Sequence, residues 1–138
     1  MRLVLDTNVV VSGLLWHGPP RQVLDVARGG TVALFTTPSL LAELQDVLTR
    51  PKFASRLAAA GVTAEELVLQ YAALTGLIQP AVLAPVVAAD PDDDAVLACA
   101  VAARAEAVDS GDPHLLQLVQ FQGIPILTPT QVLALLAP

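Results

Sequence analysis

Residues 3–8 read Leu3-Val4-Leu5-Asp6-Thr7-Asn8, so a carboxylate directly follows an apolar run. The run predicts a buried strand over Arg2–Leu5, with a helical turn beginning at Thr7. Only 14% of the residues are charged, and charged side chains seldom lie so close to a core unless something pairs with them. Asp6 is therefore a candidate functional residue.

Three other acids lie at the ends of apolar segments, and they are Glu43, Asp94 and Asp112. Two carboxylates about 4 Å apart repel by roughly 4 kcal/mol at an effective dielectric constant of 20. A cluster of four would not stay ionised alone. We expect a divalent cation between them.

The length of 138 residues predicts one domain over residues 1–138. Hydrophobic residues make up 54% of the chain, but glutamine and proline interrupt the longest uncharged stretch, so no membrane span is expected. Asp6 comes too early for the apolar core of a signal peptide, which predicts a cytoplasmic protein. The single cysteine, Cys99, excludes an internal disulfide and is expected to be a small buried residue.

The net charge of −6, from thirteen acids and seven bases, argues against a nucleic-acid partner, because phosphate binding normally needs a basic surface. That objection weakens because seven of the acids lie in a few short segments where a metal ion could neutralise them. These seven are Asp6, Asp90, Asp92, Asp93, Asp94, Asp109 and Asp112.

Short strands that alternate with helices predict an α/β fold, with a central parallel sheet of four to five short strands and helices on both faces. Strands are expected at residues 2–5, 32–36, 107–109 and 124–127, and within the proline-interrupted segment 77–87. Helices are expected at residues 7–15, 20–28, 38–49, 53–60, 64–75, 94–105 and 113–119, and from 129 onward.

The carboxyl ends of the strands are the expected ligand site in such a sheet. Asp6 and Asp112 both follow strands. On a helical wheel, Glu43 lies roughly 40° beyond the edge of the apolar arc of its helix and so borders the core. Asp46 lies about 60° further round and is the weaker candidate.

The segment Asp6-Thr7-Asn8 resembles the opening motif of the PIN-domain ribonucleases, and the resemblance extends over most of the chain. Three further motifs follow in order, and they are Ser39-Leu40-Leu41-Ala42-Glu43-Leu44, Asp90-Pro91-Asp92-Asp93-Asp94-Ala95-Val96-Leu97-Ala98 and Ser110-Gly111-Asp112. Two more segments, Arg50-Pro51-Lys52-Phe53 and Asp112-Pro113-His114-Leu115-Leu116, are similar to the toxin components of toxin–antitoxin systems.

The resemblance implies a single PIN-like domain that cleaves RNA with Mg²⁺ or Mn²⁺. It implies that Asp6, Glu43, Asp94 and Asp112 hold the metal and carry the reaction. Oxygen ligands suit these ions better than zinc, and a metal-activated water needs no side-chain nucleophile. The partners expected are an RNA substrate, a second copy of the chain in a homodimer, and a small antitoxin protein.

Supporting roles are expected for several neighbours. Asn8 and Ser110 are expected to orient the carboxylates by hydrogen bonds. Asp92 and Asp93 are possible additional acids that compete with Asp94 for contact with the metal. Asp109 is expected to bend outward at the end of its strand.

Alternative interpretations are open at each position. Asp6 and Asp94 could cap helices, Asp112 could serve only the turn, and His114 could be a solvated residue. The basic group Arg50, Lys52 and Arg56 could contact RNA or neutralise helix ends. Trp16 and His17 could stack on bases or meet a protein partner.

Two other functions are weighed against the ribonuclease. A phosphatase that uses Asp6 as nucleophile would need a second aspartate at position 8, where Asn8 stands. A catalytically silent PIN-like module for RNA binding or oligomerisation is the non-enzymatic alternative.

Overall fold

A six-stranded sheet forms the centre of the protein in the computed structural model, which describes residues 1–87 and 90–137. The strand order is β3-β2-β1-β4-β6-β5, and only the β5–β6 pair is antiparallel. The predicted α/β class is confirmed. The strands are β1 Arg2–Leu5, β2 Ala33–Thr36, β3 Thr75–Leu77, β4 Ala107–Asp109, β5 Gln120–Phe121 and β6 Ile124–Leu127.

Helices cover both faces of the sheet, as predicted. They are α1 Thr7–Leu15, α2 Pro19–Arg28, α3 Pro38–Leu48, α4 Ala54–Ala60, α5 Ala64–Leu74, α6 Pro91–Ala103, α7 Pro113–Leu116 and α8 Pro129–Leu136, with a 3-10 turn at Pro51–Phe53. Side chains alternate along β1, so Leu3 and Leu5 pack into one core with α1, α2, α3 and α5, while Val4 packs into another with α6. No helix in the described ranges has the length and apolarity of a membrane span.

Threonine caps begin three helices where the sequence predicts them. Thr37, Thr63 and Thr128 each accept a hydrogen bond from the backbone N–H three residues later. Proline occupies the first turn after Thr37 and after Thr128. These local signals need no tertiary contact, which explains why the sequence reveals them.

Helix α6 begins at Pro91, so the prediction of a start at Asp94 is wrong. Asp90 is the cap, because its Oδ1 accepts a hydrogen bond of 3.0 Å from the Asp92 N–H, and Pro91 fills the first helical position. Asp92, Asp93 and Asp94 therefore all lie in the first turn of α6.

The predicted strand within residues 77–87 is also displaced. Strand β3 is Thr75–Leu77, Leu77 is exposed, and residues 78–87 form no regular element. Ala88 and Ala89 lie outside the described residues.

The predicted helix 113–119 ends early, at Leu116, and Val119 has a φ of 64°. Strand β5, which the sequence does not predict, pairs with β6 through the two-residue loop Gln122-Gly123. Both loop residues have positive φ, 50° and 81°, as a type I′ hairpin turn requires.

Candidate functional site

Acidic side chains from four parts of the chain meet at the carboxyl edge of the sheet. Asp6 and Asp112 follow the neighbouring strands β1 and β4, and Glu43 is on α3. The segment Asp90–Asp93 begins α6. We call Asp6, Glu43, Asp90, Asp93 and Asp112 the acidic cluster.

Asp90, Asp93 and Asp112 come closest together. One carboxylate oxygen from each lies within 4.8 Å of the other two, a spacing that could hold one metal ion. Asp93 is only 3% exposed, and its Oδ2 has no hydrogen-bond partner in the described part of the chain. Burial, followed by the charges of Asp112, Asp90 and Asp6, raises the pKa of Asp93 to about 7. A cation bound between these three carboxylates would stabilise their charged forms.

The Asp6 side chain binds a serine and does not cap α1. It is 5% exposed, it precedes α1 without making a side-chain capping bond, and its Oδ2 accepts a hydrogen bond of 2.8 Å from Ser110 Oγ. Ser110 Oγ in turn accepts a bond of 3.0 Å from the Asp112 N–H. Burial raises the pKa of Asp6, the Ser110 bond lowers it, and nearby Asp112 raises it. The hydrogen bond predicted from Ser110 to a site carboxylate is thus present.

Glu43 is half-buried on α3 and faces the same region. Its pKa is raised to about 7. Burial is the largest cause, the Thr7 hydroxyl opposes the shift, and the charges of Asp92, Asp6 and Asp90 add to it. Glu43 is therefore electrostatically coupled to the other acids, although it lies outside the closest group of three. Asp92 is exposed beside it.

Asp94 does not join the closest group, contrary to the expected preference for Asp94 over Asp93. Its Oδ1 accepts bonds of 2.7 Å from the Val87 N–H and 3.3 Å from the Val86 N–H, so it holds the segment before α6. Adjacent residues on a helix point about 100° apart. Asp93 is the one that lies beside Asp112.

Asp90 is the member that sequence reasoning did not place in the site. The pair Asp90-Pro91, a capping residue followed by a proline, was the available signal for where α6 begins.

Asp109 is fully buried, so the expectation that it bends outward is wrong. Its exposure is 0%, and neither carboxylate oxygen has a hydrogen-bond partner among the described residues. Burial and, to a lesser extent, the charge of Asp6 raise its pKa to about 7. The physical reason is that β4 is a central strand, on which Asp109 pairs with Leu5 on one side and Leu127 on the other.

The basic and aromatic residues lie at the other end of α1, and we call Trp16, Lys52, Phe53 and Arg56 the aromatic–basic cluster. Arg56 Nε donates a bond of 2.7 Å to the Leu15 carbonyl, and its guanidinium lies 5.7 Å from the Trp16 ring centroid. The Lys52 ammonium is 5.1 Å from the Phe53 ring centroid. Helix α1 is about 14 Å long, so this cluster is remote from Asp6, and Arg56 has the helix-end role that the sequence left open.

The remaining candidates are exposed. Arg50 forms an ion pair of 3.6 Å with Asp46 on the surface. The His114 backbone N–H donates to Asp112 Oδ1 at 2.8 Å while the residue is exposed. Asn8 is exposed and lines a pocket beside Asp112. The structure therefore does not assign Asn8 the orienting role that was expected for it.

A family model described as PIN domain matches residues 2–114. The matched span contains every member of the acidic cluster. A comparison of the sequence with curated proteins gives no match. PIN domains are generally metal-dependent nucleases, and the group Asp90, Asp93 and Asp112 fits that activity.

Proposed function

The chain belongs to the PIN domain family, and from this premise we propose that it is a divalent-metal-dependent ribonuclease that hydrolyses phosphodiester bonds of RNA. The observation that carries the proposal is the convergence of Asp90, Asp93 and Asp112, with one oxygen of each within 4.8 Å of the others. Asp6 and Glu43 complete the cluster.

The residues present fit Mg²⁺ or Mn²⁺. All the donors are carboxylate oxygens, and these ions prefer such ligands. The buried Asp93 Oδ2 has no hydrogen-bond partner in the described residues, and a bound cation would satisfy it. We propose that Asp90, Asp93 and Asp112 hold the ion, with Asp6 and Glu43 beside it.

A bound ion would activate a water molecule and neutralise charge that develops on the phosphate. The chain's own contribution is to position groups. Ser110 fixes the orientation of the Asp6 carboxylate through its bond of 2.8 Å. Glu43 has a raised pKa in the metal-free protein because of burial and neighbouring carboxylates. A bound cation would favour its ionised form, which could accept a proton from the attacking water.

The substrate and partners extend this proposal. RNA as substrate rests on membership of the PIN family. A toxin role with a small antitoxin rests on the resemblance of Arg50-Pro51-Lys52-Phe53 and Asp112–Leu116 to toxin components. A homodimer is supported by exposed apolar side chains on two helices and in two loops. These include Leu69, Val82, Val119 and Leu135.

The decisive test incubates metal-stripped protein with mixed RNA oligonucleotides, with and without Mg²⁺ or Mn²⁺, and analyses the ends of the products. We expect cleavage only with metal, and a 5′-phosphate on the downstream fragment. Cleavage that persists in chelator would exclude the proposed chemistry.

The alternative is a catalytically silent module that binds RNA or oligomerises. Retention of intact 5′-labelled RNA in Mn²⁺, with no cleavage of any oligonucleotide, would favour it over the ribonuclease.

A further inference from the structure

A pocket of about 400 Å³ opens beside Asp112. It lies between the first half of α1, the start of α2, the loop before α7 and the start of α8. Its volume falls within the range of small-molecule sites. The lining residues are Asn8, Val9, Ser12, Pro20, Gly111, Asp112, Pro113 and Pro129.

The pocket wall combines flat apolar surfaces with a few hydrogen-bonding groups. Three prolines supply the apolar surfaces. Asn8 and Ser12 are one helical turn apart on α1, so their side chains lie on the same face. The Asn8 amide and the Ser12 hydroxyl each offer both a donor and an acceptor.

The charge of this lining disfavours a phosphate as the occupant. Asp112 is acidic, and the described lining residues include no lysine or arginine. A neutral heterocycle would instead find apolar contact on its faces and hydrogen bonds at its edge. Proteins hold unstacked bases by contact with the ring faces and by hydrogen bonds at the ring edge. Here the prolines would supply the contact, and Asn8 and Ser12 the hydrogen bonds.

We propose that this pocket receives one unpaired nucleobase of the substrate, next to the phosphodiester group held at the acidic cluster. The inference rests on the proposed nuclease function, because Asp112 belongs to both sites. A base must leave its stack to enter such a pocket. The pocket therefore selects single-stranded or unpaired nucleotides and excludes regular duplex.

A binding experiment tests the pocket without any catalysis. Wild-type protein is titrated with adenosine, guanosine, cytidine, uridine and, as a control, ribose 5-phosphate, while backbone amide signals are followed by NMR. We expect at least one nucleoside, but not ribose 5-phosphate, to shift the amides of Asn8 and Gly111, with the amide of Ser55 unchanged. The proposal is overturned if no nucleoside shifts them, or if ribose 5-phosphate shifts them equally.

A second experiment removes the base from the substrate. An RNA oligonucleotide that wild-type protein cleaves at one bond is prepared with an abasic ribose on one or the other side of that bond. One of the two changes should lower kcat/KM by about 5- to 150-fold, as expected for the loss of one base contact. Equal cleavage of all three substrates contradicts the inference.

A matched pair of variants links that loss to the pocket. Ser12→Phe fills the pocket, whereas Ser55→Phe adds the same ring to the exposed surface of α4. On the intact RNA, Ser12→Phe should lower kcat/KM by about the factor that the effective abasic change causes with wild-type protein. On that abasic RNA, Ser12→Phe should cause no additional loss. Additive losses would contradict a shared site. If Ser12→Phe does not fold, the wild-type experiments still decide.

The two proposals fail in distinguishable ways. Absence of metal-dependent cleavage by wild-type protein refutes the ribonuclease, while nucleoside binding still tests the pocket. Cleavage that ignores the flanking bases refutes the pocket alone.

Discussion

The two ends of α1 use charge in opposite ways. At the C-terminal end, Arg21 donates to the carbonyls of Gly13 and Leu14 at 3.0 and 2.9 Å, and Arg56 donates to the carbonyl of Leu15 at 2.7 Å. These guanidinium groups satisfy carbonyls that have no partner within the helix and complement its dipole. At the N-terminal end, like charges converge around Asp6, and burial together with neighbouring carboxylates raises the pKa values of Asp6 and Asp93.

The difference separates charges that build the fold from charges that oppose it. Removing Arg21 or Arg56 at the C-terminal end would leave backbone carbonyls unpaired. The acids at the N-terminal end, in contrast, repel one another unless a metal ion binds. Local violations of the usual folding preferences are expected at functional sites. The acidic end is therefore the end on which function should depend.

The largest expected effect separates two adjacent acids. Asp93→Asn should lower metal-dependent RNA cleavage on the order of 100-fold or more, because Asp93 contributes to the closest oxygen group. Asp94→Asn should lower it less than about 10-fold, because an amide oxygen can still accept from the Val86 and Val87 N–H groups. Rates of cleavage in Mn²⁺ would measure both, with circular dichroism confirming the fold. Equal losses would mean that the acidic cluster is assigned to the wrong aspartate.

Metal binding should stabilise the acidic end and therefore the whole domain. An ion at about 100 times its Kd should add roughly 2.7 kcal/mol to the free energy of unfolding, or about 5–15 °C in Tm. Asp93→Asn should shrink this shift, and Arg50→Ala, which removes a remote surface pair, should leave it unchanged. An identical melting curve with and without millimolar Mn²⁺ would remove the main support for a metal site.

The stability of the metal-free protein should fall as the pH rises from about 4 to about 7. Glu43, Asp93 and Asp109 each have a folded-state pKa raised to about 7, against about 4 for unfolded Asp and Glu. In this interval the folded state binds more protons than the unfolded state, so each rise in pH favours unfolding.

Asp109→Val isolates one of these groups. It should raise the free energy of unfolding near pH 8 by about 1–3 kcal/mol, because it removes a buried carboxylate without a hydrogen-bond partner in the described residues. The gain should shrink near pH 4, where Asp109 of the wild-type protein is protonated. Urea denaturation at the two pH values would measure it. A destabilised variant near pH 8 would show that Asp109 has a favourable partner in solution.

The smallest effects should be found in the basic residues. Arg56→Ala should cost about 1 kcal/mol, because the Leu15 carbonyl loses its donor. Arg50→Ala should stay within about 0.5 kcal/mol, because its pair with Asp46 is exposed and 3.6 Å long. Urea denaturation of both variants would measure the difference. A larger loss of unfolding free energy for Arg50→Ala than for Arg56→Ala would contradict the structural role assigned to Arg56.

Local sequence patterns determined the fold class and the neighbourhood of the site. Alternating short strands and helices, with threonine caps at Thr37, Thr63 and Thr128, were sufficient for an α/β fold, because each signal acts over a few residues. The position of Asp6 directly after β1, and its separation in sequence from the later acidic motifs, can likewise be read from the sequence. Single short elements escaped this logic, and the two residues of β5 carry too little pattern to be recognised.

Only the tertiary structure decided which acids meet. Asp93 and Asp94 point about 100° apart around α6, and the packing of α6 against β1 and β4 determines which of them faces Asp112. The burial of Asp109 depends on its strand lying between β1 and β6, and strand order is a long-range property. The sequence alone placed acids near one edge of a sheet, and packing selected which of their oxygens are close enough to share an ion.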